Sequence, residues 1–253
     1  LHPKILLSGR YSLSKQTVPF SLTFDLSQGE SLWNKYYLSW SKNPFLVKTS
    51  GVYDLAQKRL DEFSAEASFS SLGAIQAEGK LGFQKPRLFD LRLSTSALKL
   101  QSLFAFISQQ QMQENPSLDI QGEAEGQASL KKEGNELSLL AQIQLSGGSV
   151  GNKDKGFFMG GVKAKIPIHF ESGSKDNDQK EELLLEKGYF FAEQLRTSSF
   201  SVSPFRLDFD VGKNIFIIQP FSAEIFGGKE TLGKSVFELN SEPFSFQGVT
   251  SLS

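Results

Sequence analysis

The chain has 253 residues, with 27 Lys plus Arg against 28 Asp plus Glu, so its net charge is close to zero. That balance argues against a dedicated nucleic-acid binder, which needs a basic surface to neutralise phosphates. The absence of Cys excludes thiol catalysis, disulfides and thiolate metal sites; it suits an oxidising compartment but is common in the cytosol too.

Phe is the compositional outlier, at 23 residues against 5 Tyr and 2 Trp. A side chain with no polar tip, used this often, implies much fully apolar surface to line. No stretch reaches the roughly 18 apolar residues of a membrane-spanning helix. The start at Leu1 rather than Met reads as that of a processed or excised piece, which leaves open an anchor elsewhere in the full-length protein.

Period-two alternation dominates the chain and predicts strands with one apolar and one wet face. Ile5, Leu7, Gly9, Tyr11 and Leu13 share one side of a first segment. Phe20, Leu22, Phe24 and Leu26 repeat the pattern, with Ser21, Thr23 and Asp25 opposite. Tyr36, Leu38 and Trp40 follow, then Phe45, Val47 and Thr49, then Phe63, Ala65, Ala67 and Phe69. A helical pattern replaces alternation from Ser96 to Gln113. There Leu100, Leu103, Phe104 and Ile107 recur at three- and four-residue steps, Ser96 is placed to cap the start, and Asn115-Pro116 ends it.

Alternation resumes at Leu137, Leu139, Ala141, Ile143 and Leu145, and again at Val162, Ala164, Ile166, Ile168 and Phe170. Glu171 to Glu182 reads as a polar loop. The cleanest run is Phe205, Leu207, Phe209 and Val211. Turn residues such as Gln28-Gly29, Glu133-Gly134-Asn135 and Gly227-Gly228 separate the runs. The expectation is about 13 to 15 strands, mostly antiparallel because their connections are short.

Little in this pattern is chemical. His2 and His169 are the only histidines. His169 alternates with Ile168 and Phe170 on the expected outer face of a strand, and no His pair stands at metal-ligand spacing. Gly147-Gly148 and Gly227-Gly228 lack the Lys-Ser/Thr and the following helix of a phosphate loop. Asp208 and Asp210 share the polar side of a strand with Arg206, which reads as a solvated charge ladder rather than a catalytic pair. No catalytic residues, metal ligands or cofactor are expected, and the chain is read as not being an enzyme.

The apolar strand faces have two readings. Either two sheets zip together into a dry sandwich core, or one long sheet bends into a groove that shields acyl chains. Hiding a chain of ~16 carbons from water is worth roughly 12 kcal/mol at about 0.8 kcal/mol per CH₂, so a carrier needs a continuous apolar wall. Composition does not separate the two.

Several segments carry a resemblance. LRLSTSALKLQSLFAFI runs from strand to short helix, PSLDIQGEAEGQASL places Gly122 and Gly126 in the strand after it, and ELSLLAQIQLSGGSVG is a long strand ending in Gly. PFRLDFDVGKNIFIIQPFSAEIFGGKETLG is a strand pair closing on a Phe-Gly-Gly turn, and FSFQGVTSLS resembles a run into another helix. Together, over roughly half the chain, these are similar to the AsmA-like superfamily, with its TamB- and YdbH-type bridge-like lipid transporters.

The resemblance implies a mainly β fold: a long, curved antiparallel sheet folded into a taco-like β-groove with one short amphipathic helix. It implies an N-terminal β segment over 1–95, the helix over 96–115 and a C-terminal groove segment over 116–253, forming one continuous fold within a longer protein. It places the chain in the periplasm or cell envelope of a Gram-negative-type bacterium. There it would move phospholipid or another acyl lipid between inner and outer membranes, with membrane proteins as further partners. The groove-lining candidates are Phe20, Leu22, Phe24, Leu26, Phe205, Leu207, Phe209 and Val211. The alternative expectation is an assembly module that aids outer-membrane protein biogenesis by adding a strand at an exposed sheet edge. A sugar-binding sandwich ranks last, because it would need more Tyr and Trp.

Overall fold

The computed structural model describes the chain apart from residues 1–3, 12–15, 34–35, 43, 71, 85–87, 111–117, 173–184, 203, 214, 226–227, 239–244, 248–249 and 253. His2, the helix end at Asn115-Pro116 and most of the polar run after Glu171 lie outside the described residues. The protein is mainly β, with an antiparallel sheet that is curved and not closed into a barrel, and one short helix. It divides into two compact units, residues 1–114 with 125–139, and residues 115–124 with 140–253.

The first unit opens with β1 (Lys4–Gly9) and β2 (Thr17–Leu26), followed by the separate hairpin β3 (Glu30–Trp33) and β4 (Tyr36–Ser39). The sheet continues through β5 (Phe45–Asp54), β6 (Arg59–Phe69), β7 (Gly73–Gly82) and β8 (Leu88–Lys99), in the order β1-β2-β5-β6-β7-β8. Helix α1 (Leu100–Gln110) leaves the end of β8 and packs beside β8 and β4. One β-bulge in β6, around Asp61–Phe63, shifts the register against both neighbours, between Ser50 and Val52 of β5 and between Gly79 and Leu81 of β7. The extra residue tightens the local twist and lets a wide sheet bend. The bulge holds Glu62 at φ 52°. Beside it on β7, Gly79 (φ 147°) sits where a Cβ would run into the carbonyl oxygen of Asp90.

β9 (Leu118–Glu133) and β10 (Glu136–Asn152) are the two strands shared between the units. In the second unit the ladder runs β10-β11-β12-β15-β16-β19-β20. Its members are β11 (Phe157–Ser172), β12 (Glu186–Ala192), β15 (Phe205–Gly212), β16 (Ile215–Ile218), β19 (Ser235–Glu238) and β20 (Ser245–Gln247). Short β13 (Gln194–Arg196) pairs with β11 and with β14 (Ser201–Val202), while β17 (Phe221–Ile225), β18 (Gly228–Leu232) and β21 (Thr250–Leu252) form a separate small sheet. Gly122 of β9 approaches Gly148 of β10 so closely that a Cβ on it would lie 2.8 Å from the Gly148 α-carbon. Two facing glycines are what permits that spacing.

Two expectations change. The described residues hold 21 strands rather than about 13 to 15, because the chain from Gln194 on is cut into nine strands, all but β15 of only two to five residues, that period counting merges. The helix starts at Leu100, and Ser96 is no cap: it lies in β8, where its Oγ accepts from the Ala74 N–H at 2.9 Å. Within the tail FSFQGVTSLS the described residues form β20 and β21.

Candidate functional site

In the first unit the strand register gathers the apolar residues onto one face. Directly opposed residues of an antiparallel pair share a face, so each face continues from strand to strand through its partners. One row runs Leu7, Leu22, Thr49, Ala65, Ala77, Leu93. Its neighbours run Ile5, Phe24, Val47, Ala67, Ile75, Thr95 and, on the other side, Phe20, Gly51 and then Phe63, Gly79, Leu91. The opposite face carries Ser21, Thr23, Asp25, Lys48, Ser50, Ser64, Glu66, Gln76, Glu78 and Arg92.

A dry sandwich would bury the middle of such a face almost completely. Here Phe20, Leu22, Phe24, Val47, Phe63, Ala65, Ala67, Ala77, Leu91 and Leu93 are only half-buried, and Ile5, Leu7 and Ile75 are exposed. Among the described residues of this unit, apolar burial is completed at one rim, at Leu26 and Leu72. There the Phe45 ring stacks against Phe69 at 4.5 Å and meets Trp40 at 6.2 Å and Phe24 at 6.5 Å.

The second unit has its own aromatic face. Phe190 faces Leu207 and packs on Phe205 at 6.0 Å; Phe209 meets Phe216 at 5.1 Å, and Phe216 meets Phe237 at 5.9 Å. Val211 lies opposite Phe216. Phe209 is buried and Phe205, Leu207 and Val211 are half-buried. The register therefore sets Phe20, Leu22, Phe24 and Leu26 on one face of the first unit, and Phe205, Leu207, Phe209 and Val211 on one face of the second. Phe216 and Phe237 join the second set without having stood out in the sequence, because IFII in β16 is uniformly apolar and shows no alternation.

β11 departs from its sequence pattern. Its register with β12 runs from Lys163 opposite Phe191 to Lys165 opposite Tyr189. Two residues on, the Pro167 ring sits beside Gly188 and Phe209, on the side of the sheet where Ala164 opposes Phe190. The run Val162, Ala164, Ile166, Ile168, Phe170 is thus split. Val162 and Ala164 are buried, while Ile166, Ile168 and Phe170 are exposed on the reverse side. A proline within a strand marks such an irregularity, since it cannot donate to the ladder. His169 is accordingly not the outward residue of the run: its side chain is 13% exposed.

The polar groups near these faces are structural in geometry. Lys213 Nζ lies 3.0 Å from one Glu171 oxygen and His169 Nε2 donates to the other at 3.2 Å. Lys213 first, and then His169, hold the Glu171 carboxyl below the usual carboxylate range. Asp208 pairs with Arg206 at 2.9 Å, and the Arg206 guanidinium stacks 4.4 Å from the centre of the Tyr189 ring. Asp210 accepts from the Gln219 amide, so the two aspartates turn to different partners. A shallow depression of about 320 Å³ beside the β6 bulge is lined by Glu62, Phe63, Ser64, Glu78, Gly79 and Lys80. Among the described residues no group of three metal-ligating side chains converges, and no helix is long and apolar enough to cross a membrane.

No family model matches the sequence, and neither a curated protein nor a solved structure is similar enough to it to count as a match.

Proposed function

We propose that the chain is a carrier of acyl lipid, with the apolar face of the first unit as the surface that takes the hydrocarbon. The carrying observation is that at least three adjacent apolar rows run across its strands and that their described side chains stay half-covered. Six strands at about 4.8 Å spacing make this face roughly 24 Å wide. A lipid tail in a bilayer occupies half of the ~30 Å hydrocarbon core, or about 15 Å, so the rows are long enough to cover one. Headgroups would stay in solvent, so the reading requires no chemically reactive residue. Phe20, Leu22 and Phe24 line the open part; Leu26 closes the rim. On the second unit Phe205, Leu207 and Val211 extend the same function, while Phe209 supports them from within.

The resemblance to the AsmA-like superfamily supports the same reading and supplies its setting: phospholipid, or another acyl lipid, moved between the two membranes of a Gram-negative-type envelope. Extraction and mass spectrometry of lipid from gently purified protein tests this directly, together with uptake of a fluorescent fatty acid. Co-purifying acyl lipid and saturable uptake are expected. Folded protein that is consistently lipid-free and takes up no probe would refute the reading.

A further inference from the structure

The apolar face of the first unit finishes differently at its two ends. One end is the rim closed by Leu26 and Leu72, with Phe45 between Phe69 and Trp40. Towards the other end a further row, Val18, Tyr53, Leu60, Leu81 and Phe89, follows that of Phe20 and Leu91 and is again only half-buried. Beyond it Leu55 and Phe83 are 41% and 54% exposed, and Tyr11 is 56% exposed. β1–β2, β5–β6 and β7–β8 are antiparallel neighbours joined directly in sequence, so the chain turns between them at this same end. Backbone hydrogen bonds lace the turns together. The Leu55 N–H donates to the Gln16 carbonyl at 3.0 Å and the Phe83 N–H to the Lys58 carbonyl at 3.1 Å, while the Tyr53 and Phe83 rings lie 6.3 Å apart.

This end is also basic. The connections between those strands, residues 10–16, 55–58 and 83–87, contain five Lys or Arg and no Asp or Glu. Among the described residues Arg10 and Lys58 stand exposed there. On the adjoining strands Asp54 accepts from the Gln57 N–H at 2.8 Å, and Asp61 pairs with Arg59 at 2.8 Å. Lys58 keeps its place at φ 48°, in the left-handed region where Gly is the unstrained choice. An outlier of that kind points to a use for the side chain.

We infer that this end docks on an anionic bilayer surface, with Leu55 and Phe83 entering the interface and Arg10 and Lys58 meeting lipid phosphates, so that the acyl face is loaded from here. The loading direction rests on the reading of that face as the hydrocarbon carrier. Interfacial binding combines apolar area that enters the headgroup boundary with cations that attract anionic lipid. An acidic polypeptide would satisfy the cations but leave the apolar tips in water. From Val18 to Leu26 the strand runs eight residues, or roughly 26 Å, so a tail admitted at the open end has room before the closed rim.

The test is flotation of the whole chain with vesicles of equimolar phosphatidylcholine and phosphatidylglycerol, and with vesicles of phosphatidylcholine alone. Binding to the anionic vesicles is expected, falling as salt is raised. Leu55→Asp and Phe83→Asp should each weaken it by roughly tenfold or more and keep the circular dichroism of the parent, since both positions are exposed. Lys58→Gly should weaken it about fivefold yet melt no lower than the parent, because Gly takes this backbone conformation without strain. Leu140→Asp, at an exposed apolar position of the second unit, should leave binding unchanged. No binding to anionic vesicles, equal binding to both compositions, or binding that Leu55→Asp, Phe83→Asp and Lys58→Gly leave intact overturns the inference. So does retention on polyglutamate in place of vesicles, since the partner is then an acidic polypeptide. Uptake of a fluorescent fatty acid from solution needs no membrane and is scored separately. Uptake without vesicle binding overturns the docking end alone; vesicle binding without uptake refutes the carrier reading and, with it, the loading direction.

Discussion

Phe209 stands directly across the β12–β15 ladder from Gly188, and its ring fills the space that a Cβ on the glycine would take, with Pro167 on the other side. The missing side chain in one strand is the seat of the aromatic in the next. Phe209 is among the few large apolar side chains that are buried, so this contact is one of the closed points of a face that is elsewhere half-covered.

Gly188→Val should therefore destabilise the protein by displacing Phe209, at a cost of about 1–3 kcal/mol. The two residues share one space, so the cost should be markedly smaller when Phe209 is already Ala. Urea unfolding of the two single variants and the double variant measures the coupling. Simple additivity would show that the ring does not depend on the glycine.

Gly79→Ala should be worse than its modest chemistry suggests, because the position combines φ 147° with the Asp90 carbonyl oxygen in the path of the Cβ. Gly147 is also at positive φ, 59°, but has open space around it. Gly147→Ala should cost about 1–2 kcal/mol for the backbone conformation alone, and Gly79→Ala clearly more. Chemical denaturation of the two, side by side, separates the steric part from the conformational part.

A charge placed on the open face should be tolerated where one at the rim is not. Leu22→Glu leaves its carboxylate in reach of water and should cost about 1–2 kcal/mol, whereas Leu26→Glu buries a charge and should prevent folding. Thermal unfolding distinguishes them. Folded Leu22→Glu protein should also retain less acyl lipid than the parent.

The Glu171 carboxyl is held below its usual range by Lys213 and then His169. A carboxylate whose folded value is depressed contributes stability above its unfolded value and loses it as pH falls through the folded one. The difference in melting temperature between the parent and Glu171→Gln should thus be constant near neutrality and shrink to nothing under strongly acidic conditions. A difference that persists at low pH would mean that the effect is packing.

Much of the architecture was legible in the chain itself. Alternation in TVPFSLTFDL and FRLDFDVG marked β2 and β15 and assigned their apolar sides, because side-chain direction in a strand follows from backbone pleat alone. The helix was legible as a period, though its start was not: Ser96 looks like a cap in sequence and is claimed by Ala74 of a neighbouring strand.

What the sequence determined by itself was that the strands have one apolar face each, since that is a local property. Whether those faces are closed was decided only by tertiary structure. Register aligned Leu22 with Ala65, Ala77 and Leu93 through strands far apart in the chain, and Pro167 turned Ile168 and Phe170 to the opposite side from their expected partners. Above all, the Phe20–Leu22–Phe24 row is half-covered rather than a closed core, because burial depends on what packs against a strand and not on the strand's own pattern.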